Sequence, residues 1–254
     1  MIYLILSASS AFFGFSSGLG ATTLLRPVLD AVSPLSQTSV ALLCTMATLC
    51  AALVCAFFAL SEPLSLRQEE LLILAVGAAL GGVLGDLAAS RFLSVLARSA
   101  AVLLQNALLF TLTALPLVYF QTLSRTLRPM MITRLAFFPV SLLIGLFASF
   151  LSFGAEPLTL MLCYLLFDAD HDESAAAALT VSLFAMAGKL ITMLIRLRLH
   201  LPDADVLFWT LPGAIGGSLL TMIPAINSLF RPGNNALLRL SLFTSLINMA
   251  AALA

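Results

Sequence analysis

Three glycines and four hydroxyl residues interrupt an otherwise apolar segment in the stretch GFSSGLGATT, residues Gly14–Thr23. Glycine lets a ligand approach the backbone closely, and hydroxyl groups add donors. A helix that restarts after such a stretch presents unpaired N–H groups and about half a positive charge. In a low-dielectric medium this combination suits a small anion and requires no Arg or Lys. The predicted ligands in this stretch are Ser16, Ser17, Gly18, Gly20, Thr22 and Thr23.

A second stretch, SFLSFGAEP, brings Ser152 and Gly154 together with an acidic residue, Glu156. Because Pro157 favours the first helical position, Glu156 is expected at the N-cap, where a negative charge meets the positive helix end. A second interpretation is proton coupling, since burial and a neighbouring anion both favour the protonated carboxyl. A third is that Glu156 binds a cation. The residue types leave all three open.

The composition places these residues in a membrane protein. Only 9% of the 254 residues are charged and 61% are hydrophobic, whereas a soluble domain carries roughly a quarter charged residues. The mean hydropathy is +1.10. A net charge of zero offers no basic face for nucleic acid. The four cysteines lie in apolar runs without CxxC spacing, so we expect small buried side chains and no metal or other cofactor.

The apolar runs predict an all-α architecture with two unusual segments. Six runs fit one membrane crossing of about 20 residues: 37–60, 69–90, 99–121, 175–197, 205–223 and 236–254. The stretches 1–30 and 135–167 are different, because as straight helices they would be about 45–50 Å long. Each contains one of the two glycine-containing stretches near its middle. We therefore predict two half-helices that meet inside the membrane, as a re-entrant hairpin or as an interrupted span.

The order of these segments predicts two homologous halves, 1–122 and 135–254, joined by a basic connecting loop, 123–134. Short matches support the division: Gly18–Ala21 aligns with Ser152–Ala155, and Gly81-Gly82 aligns with Gly216-Gly217. Re-entrant segments would make the halves inverted repeats, and spanning segments would make them parallel. The arginines divide nearly evenly between the two sides of the membrane in both arrangements, so the positive-inside bias does not choose between them. The lengths of the two broken stretches favour hairpins, and therefore inverted repeats. The paired glycines are expected to pack closely against neighbouring helices.

The chain resembles the sulfite exporter TauE/SafE family. The resemblance lies in the glycine-rich break with Pro27 after it, Thr38-Ser39 opening the next segment, the Gly81–Gly85 patch, and a second copy of this order. It implies a multi-pass transporter in the plasma membrane that moves sulfite, sulfonates or related small anions, with no enzyme activity and no prosthetic group. The second half departs from the family pattern, because Phe153 and Glu156 stand where small residues are usual.

The predicted function is a secondary transporter of a small anion, proton-linked, that binds at the two breaks. The predicted substrate-binding residues are Ser16, Ser17, Gly18, Gly20, Thr22, Thr23, Thr38, Ser152, Gly154 and Glu156, and the predicted coupling residues are Glu156 and Lys189. The alternative is a cation- or metabolite-coupled carrier that uses Glu156. The expected partners are the anionic solute and the lipid bilayer, and a homo-oligomer stays open.

Three further features have competing interpretations. Lys189 could instead extend its side chain to the membrane interface. Arg26 could close the anion site or pair with Asp30. The loop DADHDES, Asp168–Ser174, has metal-like composition, but its acidic residues also suit the cap and first turn of the next helix. An intramembrane enzyme is disfavoured, because the glutamate pair in QEELL has no histidine at membrane depth to accompany it.

Overall fold

The protein is entirely α-helical in the part of the chain that the structure describes. The structure is a computed structural model that describes residues 1–17, 19–33, 35–59, 67–96, 98–123, 136–197, 204–223 and 234–253. These residues form helices α1 (Ile2–Ser16), α2 (Thr22–Val32), α3 (Gln37–Ala59), α4 (Gln68–Val95), α5 (Arg98–Val118), α6 (Phe137–Leu151), α7 (Glu156–Phe167), α8 (His171–Leu197), α9 (Ala204–Thr221) and α10 (Asn234–Leu253). A π-helical turn, Tyr119–Leu123, continues α5.

Each of the six predicted single spans coincides with one helix: α3, α4, α5, α8, α9 and α10. Helices α3, α4, α5 and α8 are long and apolar enough to cross a membrane. Within the described residues, α9 and α10 do not reach the same combination of length and apolar character. Large apolar side chains, such as Phe57 at 72% exposure, lie on the outer surfaces of the bundle. This surface and the helix lengths fit a multi-pass membrane protein.

Both long apolar stretches are broken, as the sequence predicts. Helices α1 and α2 are separated by residues 17–21, and α6 and α7 by residues 152–155. The four helices have between 11 and 15 residues. At 1.5 Å per residue, each is shorter than the roughly 30 Å of a bilayer's hydrocarbon core.

The packing partners are reciprocal between the two predicted halves. In chain order, helices α1 to α5 of the first half correspond to α6 to α10 of the second half. Helix α1 packs on α9, and its counterpart α6 packs on α4, which is the counterpart of α9. In the same way α3 packs on α9, and its counterpart α8 packs on α4. Likewise α2 contacts α10, and its counterpart α7 contacts α5. Two further contacts, α3 with α8 and α5 with α10, each join a helix to its own counterpart in the other half. Such exchange of partners is what a twofold relation between two halves would produce. The predicted connecting loop, 123–134, lies almost wholly outside the described residues.

Glycines let several of these helices approach to backbone contact. A Cβ atom at Gly81 would lie 2.2 Å from Leu142 O, one at Gly82 2.2 Å from Ala185 O, and one at Gly217 2.2 Å from Ala8 O. The predicted packing role is wrong for Gly216, which has no neighbouring atom within 4 Å. Successive helical residues point about 100° apart, so Gly217 alone of its pair faces the neighbouring helix.

The acidic loop before α8 caps that helix. The Glu173 N–H donates to Asp170 Oδ1 at 2.8 Å, and the Asp170 N–H donates to Glu173 Oε2 at 3.3 Å. This reciprocal pair is a capping box. It supports the interpretation that the acidic residues of DADHDES cap the next helix. The capping residue itself is Asp170. No cluster of His, Cys, Asp or Glu that could hold a metal occurs in the described residues, and all four cysteines are free thiols.

Candidate functional site

The first break is folded back onto the end of α1. Gly14 O accepts the N–H groups of Leu19 at 2.8 Å and Gly20 at 3.0 Å. Gly20 has a φ of +77°, and a Cβ at Gly14 would lie 2.2 Å from Gly20 O. Both positions therefore require glycine, one for its left-handed backbone and one for a backbone contact. The predicted ligand Gly18 lies outside the described residues.

The second break uses a serine and a buried lysine. Ser152 ends α6 in the left-handed region, with φ 51° and ψ 40°. The Lys189 ammonium of α8 donates to Ser149 O and, at 2.7 Å, to Ser152 Oγ. A positive charge at a helix C-terminus is favourable. Lys189 is only 2% exposed, so the expectation that its side chain reaches the membrane interface is wrong: its acceptors lie inside the protein.

The two breaks meet at the side chain of Glu156. A Cβ atom at Gly20 would lie 2.2 Å from Glu156 Cδ, and one at Gly154 would lie 2.1 Å from Glu156 Oε2 and 3.0 Å from Thr22 Oγ1. Glu156 is 3% exposed. Helix α7 begins at Glu156 and Ala155 is its N-cap. The predicted N-cap position is therefore wrong by one residue, and Glu156 lies in the first turn.

Several buried polar atoms at this point have no hydrogen-bond partner in the described part of the chain. They are both carboxyl oxygens of Glu156, Thr22 Oγ1 and Ser182 Oγ, and Ser16 Oγ at the end of α1 is likewise buried without a partner. Ser182 of α8 lies beside the Glu156 carboxyl. Leaving a buried polar atom unsatisfied costs about 1–3 kcal/mol. A group of such atoms between two helix breaks is therefore typical of a site that exchanges a ligand or a proton.

The family of the chain is shown by a match over almost its whole length. The family model described as "Sulfite exporter TauE/SafE" matches residues 2–253. The chain belongs to the sulfite exporter TauE/SafE family. TauE/SafE proteins are membrane transporters of sulfur-containing anions, and enzyme activity is not a property of the family. No curated protein and no solved structure matches the chain significantly.

Three of the predicted hydroxyl residues of this TauE/SafE member do not present free hydroxyls at the meeting point. Ser17 Oγ donates to Phe13 O at 2.8 Å, and Thr23 Oγ1 donates to Leu19 O, so local backbone acceptors satisfy both. Thr38 lies elsewhere in the fold, and its binding role stays a prediction. It is exposed at the start of α3, beyond the far end of α2, because sequence proximity to the break does not bring it into contact with the break.

A polar network holds α2 of this TauE/SafE member in place. Arg26 Nε donates to Asp30 Oδ2 at 3.0 Å and Nη2 to Gln105 Oε1 at 3.4 Å. The pairing of Arg26 with Asp30 is one of the two predicted roles, and it is confirmed. Asn248 Nδ2 of α10 donates to Pro27 O at 2.9 Å. These bonds connect α2 to α5 and α10 just after the first break.

Proposed function

We propose that this TauE/SafE member is a secondary transporter of a small oxyanion, such as sulfite or a sulfonate, and that it binds this anion where the two helix breaks meet. The observation that carries the proposal is the contact of the Glu156 carboxyl with both Gly20 and Gly154. Family membership supports the substrate class, and the contact supports the place.

The surroundings of this contact suit a small anion. Helices α2 and α7 both begin there, at Thr22 and Glu156, and helix N-termini attract negative charge through free N–H groups and the helix dipole. Thr22 Oγ1 is buried and free to donate, and the buried Ser182 hydroxyl lies beside the Glu156 carboxyl. The glycines remove the side chains that would fill the space.

The environment of Glu156 supports proton coupling. An isolated buried carboxylate is costly in an apolar medium, and such groups commonly become neutral by binding a proton. The two basic residues nearest to the breaks have other partners, because Arg26 pairs with Asp30 and Lys189 bonds to Ser149 and Ser152. We propose that Glu156 carries the coupled proton. A coupling role for Lys189 stays a prediction, and its bonds support a positioning role at the second break.

Alternating access would use the two halves. We propose that residues 1–122 and 135–254 are inverted repeats that move relative to each other around the anion, as in transporters with discontinuous helices. The reciprocal helix contacts support a twofold relation. The plasma membrane is the proposed location, in keeping with the resemblance of the sequence to exporters.

A flux panel in proteoliposomes tests this function. Purified protein is reconstituted and the uptake of sulfite, thiosulfate, methanesulfonate and acetate is measured, each with and without an imposed proton gradient. We expect flux of at least one sulfur anion, faster with the gradient, and none in protein-free vesicles. Flux of sodium or another inorganic cation without any of these anions would contradict the proposal and favour the cation-coupled alternative.

A further inference from the structure

We propose that the Glu156 carboxylate is an internal competitor of the transported anion. When ionised, it occupies the space between the two breaks, and the anion enters only after this carboxyl has taken up a proton. The inference rests on the proposed function, since it assumes that the anion binds at the breaks. It adds the order of events and a stoichiometry of one proton for each anion.

The position of the carboxyl carries the inference. Glu156 Cδ, Oε2 and Oε1 lie 2.2, 2.3 and 2.5 Å from the point that a Cβ at Gly20 would occupy. Glu156 Oε2 lies 2.1 Å from the equivalent point at Gly154. The carboxyl thus fills the volume that these two glycines leave open. When ionised it is a planar anion with two oxygens, so its negative charge lies where a small oxyanion would bind, and the two like charges repel each other there.

The charges around the carboxyl decide what must happen for an anion to enter. No cation in the described residues forms an ion pair with Glu156. On α8, Ser182 is neutral and Lys189 is bonded to the end of α6. On α2, the charge of Arg26 is compensated by Asp30, although its Nη1 is buried without a hydrogen-bond partner. An ionised carboxylate beside an anion would therefore be two uncompensated like charges in a low dielectric.

Among the described residues, the remaining elements place one titratable group close to Glu156. Cys55 of α3 lies near enough to Glu156 to interact with it electrostatically. Among the described side chains, α5 and α6 carry no acidic or basic residue. A thiol is neutral over most of the physiological pH range and supplies no positive charge. A proton from water, bound on a Glu156 oxygen, is thus the neutralising species within the described surroundings.

Competition of this kind predicts how the affinity for the anion depends on pH. The apparent dissociation constant of a ligand equals its intrinsic value divided by the fraction of protein that can bind. If only protein with a neutral Glu156 binds, affinity falls about tenfold for each pH unit above the titration of this carboxyl. Replacing Glu156 by a neutral residue should remove that loss, so the variants should bind more tightly than the wild-type protein at alkaline pH.

The test is sulfite binding to detergent-solubilised full-length protein by titration calorimetry, with wild type, Glu156→Gln and Glu156→Ala compared at the same pH. Because the three proteins are compared at the same pH, the protonation state of sulfite in solution is the same for all of them. We expect both variants to bind about tenfold or more tightly than wild type at alkaline pH and about equally at acidic pH. In weakly buffered solution, wild type should take up about one more proton per bound sulfite than either variant. Thr38→Val, at the exposed start of α3, is the matched control, which leaves the carboxyl and its neighbours unchanged and should keep the pH dependence.

The outcomes separate this inference from the proposed function. If wild type binds sulfite but both variants bind more weakly at every pH, the carboxyl is a ligand and competition is wrong. An unchanged proton count in the variants would also overturn the inference, while anion binding at the breaks would stand. Binding of sulfite by none of the three proteins would contradict the proposed function together with the inference.

Discussion

The carboxyl group of Glu156, in the first turn of α7, lies against the backbone of Gly20, just before α2. The two residues belong to different breaks and are 136 positions apart in the sequence, yet a Cβ at Gly20 would be 2.2 Å from Glu156 Cδ. This contact joins two short helix pairs, neither of which fits a single straight membrane crossing. It accounts for why both breaks contain glycine and why an acidic residue is tolerated in so apolar a chain.

Thr22 should contribute to anion binding and Thr38 should not. Thr22 Oγ1 is buried without a partner next to Gly154, so Thr22→Val removes a donor and leaves no protein acceptor unsatisfied. A single lost hydrogen bond to a charged ligand is worth about 1.5–3 kcal/mol, so we expect sulfite transport at low substrate concentration to fall about tenfold or more. Thr38→Val, at the exposed start of α3, should transport normally. Equal rates for the two variants would show that Thr22 does not contact the anion.

Lys189 should be required for the shape of the second break. In Lys189→Met, Ser149 O and Ser152 Oγ lose their shared donor, which costs about 1–3 kcal/mol for buried groups. We expect a lower unfolding temperature in detergent together with weaker transport. Lys189→Arg, which keeps the charge and the donors, should recover part of both. A Met variant as stable and as active as wild type would mean that the ammonium does not hold the break.

Gly82 and Gly216, one from each of the two aligned Gly-Gly pairs, should respond in opposite ways to alanine. In Gly82→Ala the new methyl group would lie 2.2 Å from Ala185 O, so α4 and α8 must separate, at a cost of about 1–3 kcal/mol. Gly216→Ala meets no atom within 4 Å and should gain up to about 1 kcal/mol from helix propensity. Thermal unfolding of both variants in the same detergent checks this. A loss of stability in Gly216→Ala comparable to that in Gly82→Ala would contradict the packing described.

The helices and the two breaks could be predicted from local properties of the sequence. Apolar run length fixes how many crossings a segment can make, and glycine, serine and proline mark where a helix ends. The family resemblance also came from residues close to one another in the chain, such as the patch Gly81–Gly85. These features depend on residues that are close together in the chain, so a single sequence is enough to predict them.

The contacts at the site depend on long-range packing, which a single sequence does not record. Ser182 is one hydroxyl in an apolar helix, and only the packing of α8 on α7 brings it beside Glu156. Lys189 finds its acceptors because α6 ends next to α8. Thr38 was misplaced for the reverse reason: it is near the break in sequence but separated from it by the whole of α2, about 16 Å.

The central claim is that the space between Gly20 and Gly154 is where the anion binds, and Gly154→Ala tests it most directly. Gly154 does not have a positive φ, so alanine is compatible with its backbone, and the methyl group would enter the space 2.1 Å from Glu156 Oε2 and 3.0 Å from Thr22 Oγ1. The measurement is the initial rate of sulfite flux in proteoliposomes at matched protein density, with Gly216→Ala as the control. We predict that Gly154→Ala loses about tenfold or more of the rate while Gly216→Ala keeps the wild-type rate. Wild-type flux in a folded Gly154→Ala protein would contradict the claim.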